Sequence, residues 1–206
     1  MRHGEKRVIE LLIPLLGFIV ISTITPGPNN LLLATSGMRF GVRATIPHMF
    51  GIHLGVYTMT VLCGLGMGQL LLAVPNALLG MKIFGSLYLV YLAWKIIGFR
   101  LTESSNEIDR PMTTVEAGLF QFANPKAWLM TTTGLSLAIP IFDSTSLAVV
   151  YFCLVFATLG LACNYVWVLT GSLLQVWLRH SAYRLWINSL LALLTLFTVG
   201  MFWSGH

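Results

Sequence analysis

Pro26-Gly27-Pro28-Asn29-Asn30 interrupts the first long apolar stretch of this chain, and Asn124-Pro125-Lys126 interrupts another roughly 97 residues later. Each stretch is long enough to cross a bilayer, and each breaks where a plain spanning helix would not. Proline donates no backbone hydrogen bond, and its ring clashes with the carbonyl four residues back. In hydrocarbon, the groups it frees must be met by protein or by water in a cavity. Two breaks at corresponding points of two halves are the pattern of a transporter binding site.

Composition supports the membrane reading. The 206 residues are 56% hydrophobic and 9% charged, with a mean hydropathy of +0.81, where a soluble domain carries about 25% charged residues. The net charge of +5 comes from basic residues scattered near segment ends, which fits the cytoplasmic bias of Lys and Arg better than a nucleic-acid surface. Cys63, Cys153 and Cys163 lie in apolar stretches without metal-ligand spacing and read as buried thiols. Arg2, Lys6 and Arg7 before an apolar run imitate a signal peptide, but no small-residue cleavage site follows, so the segment reads as the start of the first span.

Hydropathy gives six spans, at roughly 8–38, 44–72, 76–99, 112–140, 146–177 and 185–203. A straight spanning helix needs about 20 residues. The first and fourth stretches are longer, and these two hold the breaks, so each reads as a helix, an unwound kink and a second arm. Residues 100–111 form a hydrophilic linker between repeat one (about 8–99) and repeat two (about 112–203), with Pro111 suited to open the next helix. Three spans per half is an odd number, so the second half enters with opposite orientation. The predicted fold is therefore an all-α polytopic membrane protein, one domain over 1–206, built as two inverted three-helix repeats. Basic residues favour cytoplasmic loops after spans one, three and five and termini outside, although the basic N-terminus argues the other way. Trp94, Trp177, Trp186 and Trp203 fall near span ends, as an interfacial belt would place them.

Several residues in these spans can carry chemistry. Asn29 and Asn30 head the arm after the first break, where their amides can cap free N–H groups and the positive helix end attracts a carboxylate; the plainer reading is that they only satisfy the kink. Lys126 follows the second proline, deep in an apolar stretch, where a lysine costs about 2.5–3.5 kcal/mol on insertion scales. It reads as a counter-charge for a substrate carboxylate or a proton-exchange group, against a lysine that snorkels or neutralises freed carbonyls. Met130 and Thr133 follow it at i+4 and i+7, and Thr131, Thr132, Thr133 and Ser136 can present hydroxyls along the same arm.

His53, Tyr57 and Thr60 share a helix face. His53 is a second candidate for proton coupling, or a satisfied packing histidine. His48 is a poor metal partner for it, at about 140° around the helix, and no metal site is expected. Gly51 and Gly55 form a GxxxG packing pair. Phe84, Tyr88, Tyr91 and Lys95 share a face of span three, and Gly160, Asn164, Trp167 and Gly171 a face of span five; Tyr88 and Asn164 can line a substrate path or simply pack. Acidic residues are absent from span interiors, with Glu116 near a span start and Asp143 in a loop. No GxSxG, HExxH or phosphate-cradling GxxxxGK[ST] occurs, so enzyme and ATP-pump readings have no support.

Thr25-Pro26-Gly27-Pro28-Asn29, the aromatic run from Lys82 through Tyr88 to Lys95, and Gly118 through Asn124-Pro125-Lys126-Ala127 stand in the order and spacing of three motifs. On these, the chain resembles the LysE/RhtB family of bacterial amino-acid exporters over essentially its full length, and within it looks most like the cysteine/O-acetylserine exporter branch. The resemblance implies a proton-coupled secondary exporter, an antiporter of the bacterial inner membrane, without cofactor. Its partners would be a small neutral amino acid of cysteine/O-acetylserine, homoserine/threonine or leucine type and the lipid bilayer, with a homo-oligomer left open and no nucleic acid. The candidate substrate-binding set is Pro26, Gly27, Pro28, Asn29, Asn30, Asn124, Pro125, Lys126, Tyr88 and Asn164. Two positions depart from the family: many members have Asp in place of Asn29 and Asn in place of Gln121. The first departure argues against cationic substrates. The competing class is a membrane scaffold or assembly subunit, which would hold a stable partner and leave efflux unaffected.

Overall fold

The structure is a computed structural model that describes residues 2–68, 73–97, 110–142, 144–178 and 181–204. Among the described residues every regular element is helical. In chain order they are α1 (Arg2–Ile24), α2 (Pro28–Gly64), α3 (Pro75–Ile97), α4 (Thr114–Ala123), α5 (Pro125–Ala138), α6 (Thr145–Val155) and α7 (Leu161–Leu178), with α8 (Ser181–Ser204) last. A 3-10 turn, Ile139–Ile141, follows α5, and a π turn, Phe156–Gly160, joins α6 to α7. Most of the expected hydrophilic linker, Lys95's side chain and Asp143 lie outside the described residues.

Both breaks occur where the prolines require them. Each proline, Pro28 and Pro125, takes the first position of the following helix, where its missing N–H costs nothing. α2 is not one straight rod. Gly41 has φ 79° and ψ 173°, a left-handed conformation that favours glycine. There the helix folds back, bringing the Ser36 and Thr45 hydroxyls to 2.9 Å, although nine residues along a straight helix span about 13.5 Å. The first arm (28–40) and second arm (42–64) therefore lie side by side. This division agrees with the expected boundary between spans one and two. The second arm, expected to run to residue 72, instead stops at Gly64, where a turn with Gly66 at φ 92° intervenes.

The start of α4 also differs from expectation. Its opening is set by a capping box, in which Thr113 accepts from Glu116 N and Glu116 accepts from Thr113 N. Pro111 stands just outside that box. Arg110 pairs with Glu116 at 2.6 Å, which holds that carboxylate at the exposed mouth of the helix.

Small residues set the main crossings. A Cβ on Gly37 would run into the Val168 carbonyl, and one on Gly171 into the Ala34 carbonyl, where the first arm of α2 crosses α7. Gly51 and Gly55 let α4 approach the second arm in the same way, as their spacing suggested. α3 packs chiefly on α8.

The outer surface is rich in large apolar side chains, and several polar ones are buried. Asn30, His48, His53, Gln121, Asn124, Thr131 and Asn164 are buried, while Phe84, Trp94, Leu119, Leu154, Leu173, Trp186 and Phe197 are exposed. An outer surface this apolar is stable only against lipid. By length and composition, Pro28–Gly64 (folded at Gly41) and Thr145–Leu174 are each apolar enough for a membrane.

Candidate functional site

The first break frees a run of carbonyls at the end of α1, because the prolines at 26 and 28 carry no N–H to meet them. Each acquires another donor. Ser22 O accepts from Thr25 Oγ1 at 3.3 Å, Thr23 O from Asn30 Nδ2 at 2.7 Å, and Ile24 O from the Trp167 indole at 3.1 Å. Thr25 O accepts from Asn30 Nδ2 at 2.7 Å and from Lys126 Nζ at 2.8 Å. Pro26 O accepts from the same ammonium at 3.2 Å. Thus the lysine of the second break seals the first, with Thr25 Oγ1 as its third contact at 3.1 Å. A Cβ on Gly27 would lie 2.9 Å from Lys126 Nζ, so the bare backbone there makes room for the ammonium.

A second brace runs in the other direction. Asn29 Nδ2 donates to Gln121 Oε1 at 2.7 Å, and Gln121 Nε2 donates back to Asn29 Oδ1 at 3.1 Å. Gln121 also donates to Ala117 O at 2.8 Å. The two positions that depart from the family pattern are therefore each other's partners. At the second break, Asn124 Oδ1 accepts from Lys126 N at 3.1 Å and caps α5, and the Trp128 indole donates to Phe122 O at 3.0 Å.

Expectation and structure differ on the asparagines. Neither Asn29 nor Asn30 caps α2; its N-cap is Gly27, with no side-chain hydrogen bond. Asn30 turns its Nδ2 back to the freed carbonyls of Thr23 and Thr25, and Gln121 claims Asn29. The amino end of α2 is left uncapped beside the Lys126 ammonium. Among the described residues no carboxylate pairs with that ammonium; its three contacts are neutral oxygens.

Both breaks line one open-mouthed cleft. Ser22, Thr23, Gly27, Asn29 and Asn30 line it from the first break, and Asn124, Lys126, Ala127 and Met130 from the second. Ile52, Phe156 and Asn164 complete the wall, which holds no acidic residue. Behind Asn164, His53 Nε2 lies 3.4 Å from Asn164 Nδ2, and His53 Nδ1 lies 3.2 Å from the Tyr57 hydroxyl.

Residues 20–203 match the family model described as LysE type translocator. The chain belongs to the LysE family. Among its relatives, the cysteine/O-acetylserine efflux protein of Salmonella typhimurium (strain LT2) is 31% identical over 184 residues, covering 87% of this chain and 91% of the relative. The protein of that name from Escherichia coli (strain K12) is 30% identical over 180 residues, with the same coverage. No solved structure matches the chain. A translocator family with bacterial efflux relatives and this lipid-facing surface make the chain a multi-pass transport protein of the bacterial inner membrane, not an enzyme.

The structure gathers most of the residues singled out for this LysE-family chain. Gly27, Asn29, Asn30, Asn124, Lys126 and Asn164 line the cleft. Pro26 gives its carbonyl to Lys126, while Pro28 and Pro125 open the two arms. His53 stands one contact behind the wall. The side chain of Tyr88 lies outside the described residues; Phe84 and Tyr91, on the face it was read to share, are exposed. The hydroxyls expected along α5 are turned to other uses: Thr131, Thr132 and Ser136 bond back to carbonyls of their own helix, and Thr133 is exposed. Sequence reasoning missed Ser22, Thr23, Ile52 and Phe156; Met130 it named only as a neighbour of Lys126. Apolar residues in apolar helices give no signal of which one faces a cleft. Gln121 did stand out, as a departure from the family pattern.

Proposed function

We propose that this chain is a secondary exporter of small neutral amino acids or related metabolites, which it binds as zwitterions between the two breaks. The observation that carries the reading is the Lys126 ammonium, held in the membrane interior by neutral oxygens only, beside the uncapped amino end of α2. A substrate carboxylate supplies the missing anion: it meets the ammonium and the free N–H groups of that helix end. The amine then meets amide and carbonyl oxygens, since the wall holds no acid to favour a second positive charge. Candidate substrates are of cysteine/O-acetylserine, homoserine/threonine or leucine type; the efflux relatives favour the first. Proton coupling is assigned to Lys126, with His53 behind Asn164 as the second candidate.

The six-span inverted repeat belongs to the same reading, with 1–206 as one domain. Exchange of the halves maps α1 onto α4, the first arm of α2 onto α5, the second arm onto α6–α7, and α3 onto α8. Contacts follow that exchange. The first arm meets α7 at Gly37 and Val168, and its counterpart α5 meets the second arm, where Cys63 Sγ lies 3.8 Å from Thr131 Oγ1. α1 meets α7 through Trp167, and α4 meets the second arm at Gly51.

An efflux screen in liposomes across the amino acids, with and without a pH gradient, tests the proposal. Small neutral amino acids should cross, faster with the gradient, and Lys126→Ala should abolish the flux in a well-expressed protein. Unchanged flux in that variant would remove Lys126 from the site. No amino-acid flux from the wild type, together with a stable partner in mild detergent, would make the chain a scaffold.

A further inference from the structure

The polar end of the cleft accounts for the charged ends of an amino acid and leaves an apolar wall unassigned. That wall is Ile52, Met130 and Phe156. Resting on the exporter reading, we propose that these three form the side-chain subsite, and that Phe156 sets the size of the side chain admitted.

Phe156 owes its place to the π turn it opens. Phe156 and Asn164 are eight residues apart, which on an ideal α-helix puts them about 80° apart around the axis. The π turn absorbs one extra residue and cuts that angle to about 20°. Both side chains therefore line the same cleft.

The ring is fixed once there. Phe156 is 1% exposed. Its centroid lies 4.8 Å from that of His53, and it stacks on Phe152 at 6.3 Å with planes 2° apart. Tyr57 meets it edge-on at 6.3 Å. A Cβ on Gly160 would come within 2.7 Å of the ring, so the glycine closing the π turn gives the ring its space. Opposite, Met130 Sδ accepts from Thr23 Oγ1 at 3.8 Å, which ties down an otherwise flexible side chain. A wall held on this many sides cannot yield to a longer substrate at low cost.

The test is competition in proteoliposomes, with labelled serine as the transported probe and unlabelled glycine, alanine, serine, threonine, leucine and phenylalanine as competitors. Wild type should be competed best by the short members. Phe156→Ala should improve competition by leucine and phenylalanine relative to serine by about tenfold or more, the factor that even one methylene makes in an apolar pocket. Phe156→Leu gives the same readout with a smaller shift if the alanine variant does not fold. Leu169→Ala, on the outer face of α7, should leave the ranking unchanged. If wild type ranks the series by size but both Phe156 variants keep that ranking, the size assignment is overturned alone. If wild type transports neither serine nor any other of these amino acids when labelled, the exporter reading falls and this assignment with it.

Discussion

The two breaks share a scaffold and differ in chemistry. At each, a proline opens the second arm, the next residue reaches across to the other half, and an indole meets a freed carbonyl. The residue that reaches across is a neutral amide in the first half, Asn29, and an ammonium in the second, Lys126. The caps differ as well. Asn124 closes the amino end of α5, whereas Gly27 leaves that of α2 open. These differences concentrate positive potential at the first break, where the open end of α2 and the Lys126 ammonium meet.

The largest test of that comparison makes the two braces alike. Lys126→Asn should cut liposome efflux by about ten- to a hundredfold, the range for losing a hydrogen-bonded charge. Wild-type flux in that variant would mean the asymmetry is irrelevant to transport. Next comes the neutral brace. Asn29→Ala and Gln121→Ala should each lower thermal stability in detergent, and a double-mutant cycle should return a coupling of about 0.5–3 kcal/mol. Simple additivity would show that the reciprocal amide pair holds nothing together. The smallest effect is expected at the closed cap: Asn124→Ala should cost about 1 kcal/mol of stability and slow efflux less than Lys126→Asn does. If it slows efflux as much as Lys126→Asn does, the amino end of α5 is part of the site and the contrast between the breaks disappears.

How much was legible depends on the range of the interaction. Pro28 and Pro125 announced the breaks because a missing N–H acts within four residues. Gly51 and Gly55 announced a close crossing for a similarly local reason. Asn30 was legible only in part: a residue at that place can cap forward or bond backward, and the starved carbonyls of Thr23 and Thr25 decided for backward. The partnership of Asn29 with Gln121 had no local signal. Phe156 was the least visible, since a phenylalanine in an apolar helix looks like core and the π turn leaves no mark in the composition.

By itself, then, the sequence determined a helical membrane protein of the LysE family, broken at two places and carrying an unmatched lysine at one. Proline geometry, apolar length and the scarcity of charge are properties of short stretches, and they need no knowledge of what lies across the bundle. Only the tertiary structure decided which groups would satisfy the breaks. In the membrane interior a freed carbonyl or a buried ammonium must find its partner in protein, and here those partners come from 101 and 143 residues away.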